Sequence, residues 1–218
     1  MPALILMGFP AAVANGTNRL AVLGQSISSV VTFRRKGYTG LRTALILSVP
    51  ACIGAAAGTL AAMNGPDDLF RKLLSAVMLL VTATMFLGKH SGSDAERQTP
   101  HAMPLQMILF LGIGFYGGFI QAGVGFLIMA ALAGIGRMRL VRTNSIKVFV
   151  VGAYTIPSLV LFVLNGKVEW IPAVILTAGH ALGGWLGTLF TVSRGEKWIR
   201  VILAVSVLAM ALKLLGVF

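Results

Sequence analysis

The sequence contains little charge. Only 6 of its 218 residues are Asp or Glu, and charged residues of both signs make up 11% of the chain, against about 25% in soluble globular proteins. Apolar residues make up 57%, and the mean hydropathy is +0.89. So few charges cannot cover a water-facing surface. The composition therefore excludes a soluble enzyme, a disordered regulator and a nucleic-acid-binding protein.

Cysteine and catalytic motifs are also scarce. Cys52 is the single cysteine, so the chain can form neither an internal disulfide nor a cysteine cluster for a metal. The sequence contains no G-x-S-x-G, H-E-x-x-H or P-loop pattern, and its three histidines are scattered. We therefore expect no enzymatic activity, no cofactor and no metal site.

Long apolar runs dominate the chain. As helices of about 20 residues, such runs cross the roughly 30 Å of hydrocarbon in a bilayer. They cover residues 41–63, 69–88, 105–135, 141–164, 170–192 and 198–218, with a further span near 15–33. The sequence therefore predicts an all-α polytopic membrane protein, with the lipid bilayer as its surroundings.

The chain contains two copies of one unit. Residues 37–60 align with 166–189 around a shared G-x-x-x-G-T-L motif, and Thr17-Asn18 aligns with Thr143-Asn144 at a similar offset. Several matched features at one offset are hard to obtain by chance. We predict a first repeat at 1–88, a linker at 89–104 and a second repeat at 105–218.

The first repeat is shorter at its front than the second. Residues 1–13 correspond to 127–139, so most of the glycine-rich stretch that opens the second repeat has no counterpart. We expect either a truncated or misassigned start, or a reduced form of the unit.

Basic residues predict the orientation in the membrane, because Lys and Arg gather in cytoplasmic loops. Of 18 basic residues, 13 fall in four places, which we assign to the cytoplasm: Arg34, Arg35, Lys36 and Arg42; Arg137, Arg139, Arg142 and Lys147; Arg194, Lys197 and Arg200; Lys89 and Arg97. This assignment requires 105–135 to enter and leave on the same side, as a hairpin. Three crossings then remain in each repeat. An odd number makes the repeats inverted, as in many secondary transporters.

The glycine-rich stretch is the first candidate for a substrate site. Gly117, Gly118, Gly123 and Gly125 bracket a single polar residue, Gln121. An unbroken helix over the stretch would be about 46 Å long, so we predict two half-helices that meet at the glycines. The free N–H groups at a half-helix N-terminus suit an anion. Close helix packing through glycine is the alternative interpretation.

Two Thr-Asn pairs form the second part of the predicted site. Thr17 and Asn18, and likewise Thr143 and Asn144, stand at the start of the first complete span of each repeat. They fit plain N-caps, or neutral donors that both repeats offer to an anion. Asn15 is a weaker candidate. No Asp or Glu lies inside any span, which argues against cation transport.

Three ionisable residues lie within or near the apolar spans. His180 lies well inside one span and is either a proton carrier or a packed histidine, since its repeat counterpart is Ala51. Arg19 and Lys213 stand near the ends of predicted spans. We expect both of them to snorkel towards the membrane surface.

Six stretches of the chain follow the pattern of a known family. They are GFYGGFIQAGVGFLIMAAL, RTNSIKVF, NGKVEW and GHALGGWLGTLF in the second repeat, and PALILMGFPAAVANGTNRLAVL and FRRKGY in the first. With them the chain resembles the sulfite exporter TauE/SafE family of membrane permeases. The resemblance implies transport of sulfur-containing anions, such as sulfite and organosulfonates, across the bacterial inner membrane. By position it assigns the anion-facing residues to Gly117, Gly118, Gln121, Gly123, Gly125, Thr143, Asn144, Thr17 and Asn18.

The sequence as a whole therefore predicts a permease that moves a small anion by alternating access. A passive anion channel and a non-transporting membrane subunit or assembly factor stay open as alternatives. The sequence also leaves open which anion moves, in which direction, with which coupling ion, and whether the chain forms a homo-oligomer.

Overall fold

The fold is known for most of the two predicted repeats. The computed structural model describes residues 1–38, 40–66, 68, 70, 72–74, 76, 102–135 and 140–194. The span predicted at 198–218 lies outside these residues, as do most of the span predicted at 69–88 and most of the linker predicted at 89–104.

All regular secondary structure in the described residues is helical. The elements are α1 Pro2–Leu6, α2 Ala11–Arg35, α3 Leu41–Asn64, α4 Ala102–Phe119, α5 Val124–Met129 with a π-helical continuation Ala130–Ile135, α6 Leu140–Leu164 and α7 Trp170–Arg194. Four of the predicted apolar spans correspond to helices of the structure. The spans near 15–33 and at 41–63, 141–164 and 170–192 match α2, α3, α6 and α7. Two segments, Leu41–Asn64 and Val141–Leu164, are long and apolar enough to cross a membrane.

Helices α2 and α6 pack against each other in opposite directions. At one end Gly16 approaches Phe162 so closely that a Cβ atom on the glycine would lie 2.9 Å from the ring. At the other end the hydroxyl of Ser145 donates to the carbonyl oxygen of Tyr38 at 3.1 Å. The start of α2 therefore lies beside the end of α6, and the end of α2 beside the start of α6.

Helix α7 runs parallel to α2. The hydroxyl of Ser28 donates to the carbonyl oxygen of Ala181 at 2.9 Å, and that of Ser29 to Gly184 at 3.3 Å. Helix α3 likewise runs parallel to α6. Gly40, at the start of α3, lies beside Ile146, and towards the ends of both helices the hydroxyls of Thr59 and Ser158 lie 2.9 Å apart. Helix α2 thus packs against α6 and α7, and α3 packs against α6.

Helices α3 and α4 approach each other closely through small residues. A Cβ atom on Gly58 of α3 would lie 1.9 Å from the carbonyl oxygen of Phe115, and one on Gly114 of α4 would lie 2.2 Å from that of Ala51. Small residues four apart let two helix backbones come this near. The G-x-x-x-G motif of α3 is therefore a packing motif against α4.

One end of the bundle is basic. The end of α2, the start of α3 and the start of α6 meet there, and Arg34, Arg35, Lys36 and Arg42 are exposed. A cavity of about 300 Å³ opens at this end, with Arg34 in its wall. A second, of about 310 Å³, adjoins Trp185 of α7. Described members of several basic clusters thus share one end, as expected from the charge pattern.

The outer surface of the bundle is strongly apolar. On α7 the exposed side chains recur on one face, and Ile171 is 78% exposed. The others on this face are Val174, Ile175, Leu182 and Leu186. Soluble monomers rarely expose apolar patches of this extent, so the surface is suited to hydrocarbon. The chain is a helical membrane protein.

Candidate functional site

A break between α4 and α5 lies in the glycine-rich stretch. Helix α4 ends at Phe119, α5 begins at Val124, and both Gln121 and Gly123 have left-handed backbone conformations, with φ of +66° and +72°. Among the described residues, Gln121 is the one non-glycine with positive φ. L side chains adopt this region at a cost of about 1 kcal/mol or more. The helix therefore breaks where the glycine pattern predicted.

The chain turns back on itself after the break. Gln106, near the start of α4, donates its side-chain amide to the carbonyl oxygen of Ala131, which lies past α5, at 3.5 Å. The hydroxyl of Tyr116 donates to the carbonyl oxygen of Ala122 and holds the turn itself. The two arms of the glycine-rich stretch therefore lie side by side.

Side chains of α2 donate hydrogen bonds to the last carbonyl groups of α4. Arg19 donates from Nη1 to the carbonyl oxygen of Gly117 at 2.8 Å and from Nη2 to that of Gly118 at 2.5 Å. Asn15 donates from Nδ2 to the carbonyl oxygen of Phe119 at 2.9 Å. The last carbonyls of a helix have no partner within it, so these donors from α2 stabilise the break.

Asn18 joins α2 to the turn after α4. Its Nδ2 lies 3.5 Å from Oε1 of Gln121, and its Oδ1 accepts a hydrogen bond of 3.1 Å from the amino group of Met1. The hydroxyl of Thr17 points elsewhere and accepts the backbone N–H of Glu169 at 3.0 Å. Thr17 and Asn18 are thus buried at the level of the break, but Asn18 is the one that contacts it.

The N-cap interpretation of Thr17 and Asn18 is wrong, as is the expectation that Arg19 snorkels. Helix α2 begins at Ala11, so Arg19 lies about 12 Å along the helix, at 1.5 Å per residue, and is 0% exposed. Its guanidinium lies over the ring of Phe162, 5.7 Å from the centroid. The apolar run was measured from too late a start, which placed an interior arginine near an end.

The second Thr-Asn pair lies far from the first. Thr143 and Asn144 are in the first turn of α6, at the basic end, whereas Phe162 beside Arg19 lies about 27 Å further along the same helix. Both are buried, and neither Oγ1 of Thr143 nor Oδ1 of Asn144 has a hydrogen-bond partner among the residues that the structure describes. The structure therefore does not bring the two pairs together around one small ligand.

The predicted residues fall into two groups. Gly117, Gly118, Gln121, Thr17 and Asn18 lie together at the end of α4. Gly125 lies nearer the second pair, because its closest side chain is Lys147, one turn along α6 from Thr143 and Asn144. Gly123 is the left-handed residue that precedes α5.

His180 stands apart from both groups. It is half-buried on α7, and its Nδ1 has no hydrogen-bond partner. In the described part of the chain no hydrogen bond joins it to the break, so its role as a proton carrier stays a prediction.

Sequence reasoning missed Arg19 and Tyr154 as members of the site. Tyr154 is 0% exposed and lies beside Gly117, and its hydroxyl has no hydrogen-bond partner in the described part of the chain. Arg19 could have been found from its spacing, because Asn15, Asn18 and Arg19 share one helix face at i, i+3 and i+4. Nothing in the sequence marks Tyr154, since its contact with α4 depends on tertiary packing.

Acidic side chains are absent from the described part of the site. In the described part of the chain, the side-chain carboxylates are those of Asp68 and Glu169. Both lie outside helices α1 to α7. Asp68 pairs with Lys72 at 2.7 Å. No cluster of His, Cys, Asp or Glu that could hold a metal occurs among these residues.

A comparison with known families identifies the kind of protein. The sequence pattern of the sulfite exporter TauE/SafE family matches residues 1–214. The chain belongs to the sulfite exporter TauE/SafE family. Membership agrees with the resemblance noted from the glycine-rich stretch and the Thr-Asn pairs.

Curated relatives in this family are named as transporters. The probable membrane transporter protein YfcA of Escherichia coli strain K12 is 26% identical over 215 residues, which cover 99% of this chain and 80% of that protein. A probable membrane transporter protein of Haemophilus influenzae is 26% identical over 214 residues, covering 98% and 84%. One from Sinorhizobium, ORF9, is 26% identical over 220 residues, covering 99% and 83%. No solved structure matches the chain.

Proposed function

We propose that this TauE/SafE family member is a secondary transporter that moves a small anion across the bacterial inner membrane by alternating access. Sulfite or a related sulfur-containing or organic anion is the substrate that the family name suggests. The observation that carries the proposal is the buried break between α4 and α5, where Gln121 of the second repeat meets Asn18 of the first at 3.5 Å. A broken helix at such depth is typical of transporter binding sites.

The polarity of the break favours an anion. Neutral amides of Asn15, Asn18 and Gln121 and the hydroxyl of Tyr154 surround it, and helices α1 to α7 carry no carboxylate. Cation transporters usually rely on buried Asp or Glu. Amide and hydroxyl donors instead replace the hydration of an anion, without holding it permanently.

The packing supports an inverted repeat. The corresponding helices α2 and α6 run antiparallel, and α3 packs on α6 as α7 packs on α2. A twofold axis in the membrane plane would produce this exchange of partners. The contact between Gln106 and Ala131 further supports a re-entrant hairpin at 105–135 that begins and ends on the cytoplasmic side.

The separation of the two Thr-Asn pairs fits a carrier. Thr17 and Asn18 would meet the anion at the break, while Thr143 and Asn144, with Gly125, would meet it on the cytoplasmic side. Inverted repeats exchange conformations when access alternates, so each pair would serve the same step from its own side. In this proposal the chain is a multi-pass protein of the inner membrane.

Counterflow in liposomes tests the proposal. The purified chain should catalyse saturable exchange of radiolabelled sulfite, with thiosulfate, a sulfonate and acetate as competitors. Asn18→Leu and Asn144→Leu should abolish exchange, whereas Asn165→Leu, an exposed loop residue, should leave it unchanged. Folded protein is verified for each variant by size-exclusion chromatography.

Other outcomes separate the alternatives. Flux that rises linearly with concentration, without exchange, would indicate a passive channel. No flux of any anion, with a partner co-purifying in fixed ratio, would indicate a non-transporting subunit. Wild-type exchange that survives in both Asn→Leu variants would contradict the assigned site.

A further inference from the structure

We propose that the guanidinium of Arg19 is the fixed positive charge that binds the transported oxyanion. The inference rests on the proposed function and deepens it, because it assigns the charge at the binding site. Arg19 is 0% exposed, lies at the break between α4 and α5, and forms no ion pair with a described carboxylate. An ionised group buried without a partner of opposite charge is costly and usually serves a function.

The end of α4 offsets only part of this charge. The carbonyl groups of Gly117 and Gly118 accept from Arg19, and a helix C-terminus carries about half a negative charge. Roughly half a positive charge therefore remains uncompensated by described groups. Two neutral carbonyls thus hold the guanidinium in place but leave it able to attract an anion.

Donors with no hydrogen-bond partner among the described residues gather around the same end of α4. They are Nε of Arg19, Nε2 of Gln121 and the hydroxyl of Tyr154. All three residues are more than nine-tenths buried. A guanidinium has five N–H donors, and Arg19 uses two of them on carbonyl oxygens. The N–H of Nε is among the donors that stay available. Donors without acceptors are what an anion with several oxygens requires.

The arrangement selects a class of ligand. Guanidinium recognises planar or branched oxyanions through several directed hydrogen bonds, and the ring of Phe162 covers one of its faces. A small oxyanion with two or three acceptor oxygens, such as sulfite or a sulfonate, can engage Arg19, Gln121 and Tyr154 together. Cations are excluded by repulsion. Because Arg19 is fully buried, access requires the helices to move apart, as alternating access does.

Charge-changing and charge-conserving variants test the inference. Arg19→Gln removes the charge, Arg19→Lys keeps it, and Thr59→Val removes a neutral hydroxyl 3.3 Å from the same Gly118 carbonyl. Loss of one charge-assisted contact corresponds to about a 10- to 100-fold weaker apparent affinity. We expect this loss of sulfite exchange in Arg19→Gln, a partial loss in Arg19→Lys, and less than a twofold change in Thr59→Val.

Thermal unfolding in detergent gives a second readout that does not need transport. Sodium sulfite should raise the Tm of the wild type and of Thr59→Val above that in sodium chloride of equal ionic strength. It should leave the Tm of Arg19→Gln unchanged, even if that variant is less stable.

The outcomes distinguish this inference from the proposed function. Wild-type exchange with equal affinity in Arg19→Gln would overturn the role of Arg19 alone. Parallel losses in Arg19→Lys, Arg19→Gln and Thr59→Val, with sulfite still stabilising all of them, would reduce Arg19 to a helix cap. Absence of exchange in the wild type would refute transport. A sulfite-induced rise in Tm that requires Arg19 would then still support the binding site. No rise in the Tm of the wild type would overturn the binding site.

Discussion

The close approach of α3 and α4 predicts a large difference between two glycines of the same helix. A Cβ atom on Gly114 would lie 2.2 Å from the carbonyl oxygen of Ala51, whereas ordinary contacts begin near 3.4 Å. Gly114→Ala must therefore separate the helices by about 1 Å. Overpacking of this kind costs about 1–3 kcal/mol. Around Gly112 there is nothing within 4 Å, so Gly112→Ala should instead gain about 0.5–1 kcal/mol from helix propensity.

The two variants should thus differ by about 1.5–4 kcal/mol in free energy of unfolding. Reversible unfolding in mixed micelles, followed by circular dichroism as denaturing detergent is added, measures this difference. The comparison is well controlled, since both changes are Gly→Ala in α4. Equal stabilities of Gly114→Ala and Gly112→Ala would refute the backbone-to-backbone packing of α3 on α4.

Two further predictions concern the turn and the orientation. Gln121 has φ of +66°, so Gln121→Gly should keep or raise stability by up to about 1 kcal/mol while sulfite counterflow falls. Reduced stability together with unchanged counterflow would contradict this. In a Cys52→Ala background, cysteines at the exposed positions Lys36 and Asn165 should react with a membrane-impermeant maleimide from opposite sides, Asn165→Cys alone reacting in intact cells. Labelling of both from one side would refute the orientation.

The sequence alone determined the helices and the location of the break. Apolar runs are a local property, and their lengths predicted α3, α6 and α7 almost to the residue. The glycines around Gln121 likewise predicted where α4 ends, because a tight left-handed turn is accessible mainly to glycine and a few tolerant residues. The duplication also predicted that α2 and α6 would be equivalent.

Only the tertiary structure decided which polar side chains meet at the break. Arg19 contacts Gly117 across 98 positions of sequence, and no local pattern encodes a contact of that separation. For the same reason the sequence could pair Asn18 with Asn144 as equivalents, but their distance depends on α2 and α6 running antiparallel. A repeat reveals which residues correspond, whereas the packing of long helices decides which of them can touch the same ligand.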